Sequence, residues 1–71
     1  MELNVRITFV DNSEEQVVSD VQSIERTDMK LNVGVHDGKE VLLIRYRDVR
    51  GYHRAALYVV CDVKAIELFW R

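Results

Sequence analysis

Apolar and polar residues alternate along much of this chain, as they do in strands that are buried on one face. The segment 2–10 alternates without a break, and its apolar residues are Leu3, Val5, Ile7 and Phe9. The segments 54–60 and 65–70 are rich in the β-branched and aromatic residues that favour strands. We therefore predict an all-β fold of about seven short antiparallel strands. These strands would form a small barrel or a strongly bent meander sheet.

Asp37 and Gly38 lie between two apolar-rich segments, which is the strongest short signal for a two-residue hairpin turn. Counting outward from this turn places Val35 opposite Glu40, Val33 opposite Leu42 and Leu31 opposite Ile44. One face of the predicted hairpin then carries Leu31, Val33, Val35, Leu42, Ile44 and Tyr46. The other face carries Lys30, Asn32, Gly34, His36, Lys39, Val41, Leu43, Arg45 and Arg47.

A nine-residue pattern occurs twice, at 17–25 and at 59–67, with six identical positions that read Val-Val-x-Asp-Val-x-x-Ile-Glu. We interpret it as one structural device used twice. A strand ends, an aspartate caps a tight turn, and the next strand begins. A true duplication that gives a pseudo-twofold fold is the alternative.

Residues 14–26 also allow a different interpretation. Ser13 to Gln16 resemble a helical capping box, and Val17, Val21 and Ile24 follow with helical spacing. The alternative fold is therefore α+β, with a helix at 14–26. We favour strand, turn and strand because the second copy of the pattern lies among β-forming residues.

The length of 71 residues indicates a single small β domain over residues 1–71. Its predicted core consists of Val5, Ile7, Phe9, Ile24, Leu31, Val33, Val35, Leu42, Ile44, Leu57, Val59, Ile66 and Leu68. A chain of this size buries only about 60% of its unfolded surface, and comparable chains often rely on disulfides, metals or oligomerisation. Cys61 is the one cysteine, so an internal disulfide and a cysteine-rich zinc site are excluded. The lone thiol, the short apolar runs and the absence of a signal-peptide pattern favour the cytoplasm over a membrane.

The sequence offers no arrangement of residues typical of catalysis, so we expect no enzyme, no catalytic residue, no metal and no cofactor. His36 and His53 have no spacing to Cys61 that would suggest a thiol–imidazole pair, and we expect Cys61 to be a buried, inert thiol. The acidic residues near the first turn are expected to form a solvated loop. They are Asp11, Glu14, Glu15 and Asp20.

The arginine-rich segment 45–54 carries a formal charge of +3, whereas the rest of the chain sums to −5. Its predicted binding residues are Arg45, Arg47, Arg50, Tyr52, His53 and Arg54, joined by Lys30 from the predicted hairpin. Arginine and tyrosine are frequent in protein-binding hot spots, and they also bind single-stranded nucleic acid. Our first hypothesis is a non-enzymatic interaction module that binds a protein partner or itself. The alternatives are a nucleic-acid-binding barrel, a binder of a small anion such as a nucleotide, and a solvated hairpin end whose arginines pair with nearby acids such as Asp48, Asp62 or Glu67.

Val41 and Leu43 fall on the face opposite the predicted core, so either the sheet curls over them or another chain covers them. Together with Phe69 and Trp70 at the C-terminal end of the sequence, they suggest an oligomer interface. We therefore expect a homo-oligomer, in the simplest case a dimer.

Overall fold

The chain forms six strands and one short 3-10 helix in a computed structural model, which describes residues 1–11, 14–29 and 39–71. The strands are β1 (Leu3–Phe9), β2 (Gln16–Val18), β3 (Val21–Met29), β4 (Lys39–Arg47), β5 (His53–Val59) and β6 (Val63–Trp70), and the 3-10 helix spans Val60–Asp62. Every strand pairing is antiparallel. Sheet 1 has the order β2-β1-β6, and sheet 2 has the order β3-β4-β5. The all-β prediction is confirmed as a bent meander, and within the described residues the two sheets do not close into a barrel.

Residues 16–29 form β2 and β3, so the alternative helix at 14–26 is wrong. The edge of β1 supplies the partner for this segment, with Val18 opposite Val5 and Gln16 opposite Ile7. This pairing buries Val18, and the following strand buries Val21. The gain from burial and from the strand ladder therefore outweighs the local helical spacing.

The repeated nine-residue pattern marks the two places where the chain crosses between the sheets. The first copy joins β2 of sheet 1 to β3 of sheet 2, and the second joins β5 of sheet 2 to β6 of sheet 1. Asp20 turns the first corner with a φ of 52°, a left-handed conformation that aspartate tolerates better than most residues. The second corner is the 3-10 helix, which begins without a side-chain cap. The strand–turn–strand prediction is confirmed, but the prediction that an aspartate caps both turns is wrong.

The hydrophobic core lies between the two sheets. Its fully or nearly fully buried members are Val5, Ile7, Val18, Val21 and Ile44, and the partly buried side chains around them are Leu3, Phe9, Tyr46, Tyr58 and Val63. The hydroxyl of Tyr58 donates to Gln16 Oε1 at 3.0 Å, which ties β5 to β2, and burial raises the pKa of this phenol. Val41 and Leu42 are also buried.

The predicted core is correct for the centre of the molecule and wrong at its margins. Val5, Ile7, Leu42 and Ile44 are buried as predicted, and Phe9 and Val59 are partly buried. The exposed residues among those predicted are Ile24, Leu57, Ile66 and Leu68. All four lie on outer strands: Ile24 on β3 and Leu57 on β5 of sheet 2, and Ile66 and Leu68 on β6 of sheet 1. Leu31, Val33 and Val35 lie outside the described residues.

The predicted hairpin register is wrong for β4. Leu42 lies opposite Arg26 on one side and Tyr58 on the other, and Ile44 lies between Ile24 and Ala56. Both edges of β4 are thus occupied by β3 and β5 at these positions. The long ladder between β3 and β4 overrides the register counted from the local turn signal. The turn at 37–38 itself lies outside the described residues.

Val41 is buried within the chain, although the hairpin pattern placed it on the face away from the core. The sequence allows two ways of covering Val41, by the chain's own sheet or by another chain. The chain itself covers this residue. Asn4 is buried as well, and neither polar atom of its side chain has a hydrogen-bond partner among the residues that the structure describes. No helix in the described part of the chain is long and apolar enough to cross a membrane.

Candidate functional site

The β4–β5 hairpin carries the arginine-rich segment 45–54 and divides its side chains between two faces. Arg47 lies opposite His53, Arg45 opposite Ala55, and Tyr46 opposite Arg54. Because directly opposed residues of antiparallel strands point to the same side, Arg45, Arg47 and His53 share one face. Tyr46 and Arg54 point to the other face, which holds the core. The basic residues therefore surround the end of the hairpin and do not form a single flat patch.

Asp48 fixes the turn between β4 and β5. Its Oδ1 accepts hydrogen bonds from the backbone N–H groups of Arg50 at 2.9 Å and Tyr52 at 3.0 Å, and its Oδ2 accepts one from Arg54 Nε at 2.6 Å. The backbone N–H of Gly51 donates to the carbonyl of Asp48 at 2.9 Å, and Gly51 has a φ of 85°, which glycine adopts without strain. Asp48 thus holds the turn through both its backbone and its side chain.

The electrostatics of the turn follow from this geometry. The hydrogen bond from Arg54 is the largest influence that lowers the pKa of the Asp48 carboxyl, partial burial opposes it, and the two backbone donors lower it further. The same pair raises the pKa of Arg54. The carboxylate and this guanidinium are therefore both charged at neutral pH and neutralise each other.

Two of the four arginines in the segment have acidic partners. Arg54 pairs with Asp48, and Arg45 Nη1 lies 2.8 Å from Glu25 Oε1. Arg47 and Arg50 make no ion pair with any of the described residues. The alternative in which the arginines pair with nearby acids thus holds for Arg54, with the named Asp48, and for Arg45, with an acid that was not named. Glu67 pairs instead with Arg6 on the other sheet at 3.0 Å.

Exposed apolar side chains accompany the two unpaired arginines. Val49 is fully exposed at the tip of the turn, and Tyr52 is 62% exposed beside it. Leu57 is exposed on the same face as Arg45 and Arg47. Sequence reasoning missed Val49. The signal was available, because Val49 is the one apolar residue of the turn 48–51 and an apolar residue in a turn does not belong to the buried face of a strand.

A shallow groove of about 400 Å³ runs between the hairpin and β2. Val49 contributes to its rim, and Val18, Tyr46 and Tyr58 contribute to its wall. The hairpin tip therefore adjoins a surface depression with apolar walls.

The other predicted site residues lie elsewhere. Val41 and Leu43 belong to sheet 2, whereas Phe69 and Trp70 belong to sheet 1, so the predicted interface residues do not share one sheet. Phe69 is partly buried beneath the guanidinium of Arg6, whose central carbon is 5.2 Å from the ring centre. Lys30 and His36 lie outside the described residues.

Cys61 is exposed and free, so the prediction of a buried thiol is wrong. It occupies the 3-10 helix at the second crossing between the sheets, and the equivalent Ser19 at the first crossing is exposed too.

Of the predicted acidic loop, Glu15 lies 3.6 Å from Arg6 Nε. The described residues contain no group of three or more histidine, cysteine, aspartate or glutamate side chains placed to hold a metal ion.

Comparison of the chain with known protein families, with curated proteins and with solved structures gives no significant match. The functional interpretation therefore rests on the geometry of the hairpin and of the sheets around it.

Proposed function

We propose that this chain is a non-enzymatic interaction module that binds a protein partner through the end of its β4–β5 hairpin. The binding surface consists of Arg47, Val49, Arg50, Tyr52 and His53. One observation carries the proposal: two arginines that make no ion pair with a described residue lie beside two exposed apolar side chains on a turn that Asp48 holds in place. Arginine and tyrosine are enriched among the residues that dominate binding energy at protein interfaces. A turn that is already fixed loses little conformational entropy on binding.

The partner surface should combine acidic and apolar groups. Arg47 and Arg50 supply positive charge that no described acidic residue neutralises, and an acidic side chain of the partner would provide the counter-ion. Val49 supplies apolar contact area at the tip, and Leu57 extends it along the face of sheet 2. Bidentate contact between guanidinium and carboxylate would fix the orientation of the partner.

A protein partner fits this surface better than nucleic acid does. Arg45 and Arg54 are neutralised by Glu25 and Asp48, so half of the basic charge of the segment is already engaged. Phosphate binding gains affinity with each phosphate that a free cation neutralises. Base stacking needs exposed aromatic rings, and Tyr52 is the exposed one in this segment, since Tyr46 is partly buried. Apolar side chains do not bind phosphate groups, so phosphate recognition would leave the exposed apolar residues beside the arginines unused.

We place the chain in the cytoplasm on the basis of Cys61. This thiol is free and exposed, which is the state that reducing compartments maintain.

The proposal is tested by fluorescence anisotropy with two labelled probes of equal charge, a short peptide of alternating Glu and Leu residues and a single-stranded oligonucleotide. The variants are Arg50→Ala, which removes an unpaired arginine from the hairpin end, and Arg26→Ala, the matched control. Arg26 lies on β3 and pairs with Glu40 at the opposite end of sheet 2. Each variant removes one positive charge from an exposed position, so the comparison separates position from net charge.

We expect the peptide to bind more tightly than the oligonucleotide. Arg50→Ala should weaken peptide binding about fivefold or more, as removal of a hot-spot side chain does. The Arg26→Ala control should stay within about twofold of the unaltered chain. Tighter binding of the oligonucleotide, with an affinity that falls steeply as salt rises, would replace the proposal by nucleic-acid binding. Equal effects of the two substitutions would show that only net charge matters.

A further inference from the structure

The outer edge of β6 is the most exposed apolar strand edge in the described part of the molecule. β6 pairs with β1 on one side, and no described strand pairs with its other side. The ladder between β1 and β6 continues beyond the strand ends, because Glu2 and Arg71 exchange both backbone hydrogen bonds at 2.9 Å. The edge is therefore held extended as far as Arg71.

The reciprocal bonds between Glu2 and Arg71 also determine which backbone groups point outward. In an antiparallel ladder, residues whose backbone groups bond the partner strand alternate with residues whose groups point away from it. Arg71 bonds β1, so the groups of Phe69 and Glu67 also point toward β1. The N–H and C=O groups of Ile66, Leu68 and Trp70 point toward the open edge.

The same three residues carry the exposed apolar side chains of the strand. Ile66, Leu68 and Trp70 are 39%, 56% and 64% exposed, and they lie opposite Ile7, Val5 and Leu3. Their side chains therefore share the face on which sheet 1 holds the core. The core layer extends under β1 but leaves β6 uncovered, and the open hydrogen-bonding groups are at the same residues.

From Ala65 to Trp70 the strand lacks the usual protection against pairing with another chain, because its one lysine, Lys64, lies at the other end of β6. Soluble proteins guard open edges with lysine, proline, bulges or very short strands. From Ala65 to Trp70 the one charged residue is Glu67, and Arg6 already neutralises it at 3.0 Å. The bulge of this ladder lies at the other end of β6, near Val63.

We propose that a second copy of this chain pairs with the β6 edge, so that two β6 strands run antiparallel about a twofold axis and join two copies of sheet 1. Closed twofold dimers are the commonest oligomers, and their contacts are self-complementary. This proposal is independent of the function proposed for the β4–β5 hairpin, which lies on the other sheet.

Charge and hydrophobicity select the register of the pairing. The twofold axis must place residues of the same face opposite each other. An axis at Glu67 would oppose two like charges, and an axis at Ile66 would oppose Lys64 to Leu68 of the second copy. An axis at Leu68 places Leu68 opposite itself and Ile66 opposite Trp70, so every exposed apolar residue meets another one. This register also uses the outward groups of all three residues, in about six hydrogen bonds.

The first test is sedimentation equilibrium on the unaltered chain and on two variants with one new lysine each. Leu68→Lys places a charge at the axis, and Leu57→Lys is the matched control on sheet 2 at a residue of similar exposure. We expect a dimer for the unaltered chain and for Leu57→Lys, and loss of the dimer for Leu68→Lys with an unchanged circular dichroism spectrum. A monomeric unaltered chain, or a Leu68→Lys variant that still dimerises, would overturn the proposal. Because the control residue belongs to the proposed partner-binding face, weaker peptide binding by Leu57→Lys with an intact dimer separates the two proposals.

Two further readouts need no loss of folding. Trp70 is the one tryptophan of the chain, so its fluorescence reports on β6 alone. Its emission should shift to longer wavelength on dilution, and an emission independent of concentration would contradict the proposal.

In a Cys61→Ser background, Leu68→Cys should form a disulfide-linked dimer under a mild oxidant, whereas Ile66→Cys should not. Cross-linking at Ile66 and not at Leu68 would overturn the proposed arrangement.

Discussion

Replacement of Ile44 by alanine should destabilise the chain far more than the same change at Ile24. The two residues lie directly opposite each other on β4 and β3, and they have the same side chain on the same face of sheet 2. Ile44 is 0% exposed at the centre of the core, whereas Ile24 is 36% exposed. The pair therefore compares the same side chain on the same face of the sheet at two levels of burial, on the central strand β4 and on the outer strand β3.

The expected magnitudes follow from the buried groups. Alanine removes three carbon atoms from each isoleucine, which is worth about 2–2.5 kcal/mol of transfer free energy for a fully buried site. At Ile44 a cavity among Val5, Ile7 and Val21 adds to this loss, for a total of about 3–4 kcal/mol. At Ile24 part of the side chain is already in water and no closed cavity forms, so we expect about 1–1.5 kcal/mol. A chain of this length has about 4–10 kcal/mol of stability in total, so Ile44→Ala should be close to unfolding.

The assay is urea unfolding followed by far-ultraviolet circular dichroism at one fixed protein concentration, because association would make the midpoint depend on concentration. Ile44→Val serves as a milder variant, with an expected loss of about 1 kcal/mol, in case the alanine variant does not fold. Equal losses of unfolding free energy at Ile44 and Ile24 would refute the placement of the core between the two sheets.

Three further predictions concern Asp48, Asn4 and Cys61. The folded-state pKa of Asp48 is lowered, so its stabilising effect is present above the unfolded pKa of about 4 and is lost as the pH falls through the folded value. The difference in Tm between the unaltered chain and Asp48→Asn should therefore shrink as the pH is lowered, and a difference that is constant with pH would contradict this account. Asn4→Leu should raise the unfolding free energy, measured by urea unfolding, by about 1–2 kcal/mol, because it removes two buried polar atoms that have no hydrogen-bond partner among the described residues. A lower unfolding free energy for this variant would contradict the prediction. Cys61 should react fully with a thiol reagent such as dithionitrobenzoate in the native state, whereas protection until denaturant is added would show that the thiol is buried.

The sequence alone was sufficient to predict the strands and the repeated corner. Strict alternation over 2–10 locates β1, and the repeated Val-Val-x-Asp pattern locates both crossings between the sheets. These signals are local, and each describes a segment whose structure depends mainly on its own residues. The helical alternative at 14–26 is equally local, and it fails because β1 supplies a strand partner that a helix could not use.

Pairing and burial could not be predicted in the same way, because they depend on distant segments. The turn signal at 37–38 says nothing of β3 and β5, which occupy both edges of β4. The alternation of β6 assigns Ile66 and Leu68 to a core face, and this is the correct side of the sheet. It does not reveal that the side chains of Ile66 and Leu68 stay 39% and 56% exposed on that side.

The candidate site was predicted in composition but not in geometry. The excess of arginine at 45–54 is visible in the sequence, whereas the neutralisation of Arg45 depends on Glu25, twenty positions away. The role of Asp48 as the acceptor that fixes the turn requires the folded hairpin. Val49 escapes a search for charged and aromatic residues, since its significance lies in its full exposure.

Chemical-shift mapping is the most direct test of the proposed binding surface. Assigned ¹H–¹⁵N correlation spectra of the chain would be recorded during titration with the peptide of alternating Glu and Leu residues. We predict saturable shifts at Arg47, Val49, Arg50, Tyr52 and His53, with the amides of β1 and β6 unchanged. Shifts confined to sheet 1, or shifts that do not saturate at any position, would contradict the assignment of the β4–β5 hairpin as the binding surface.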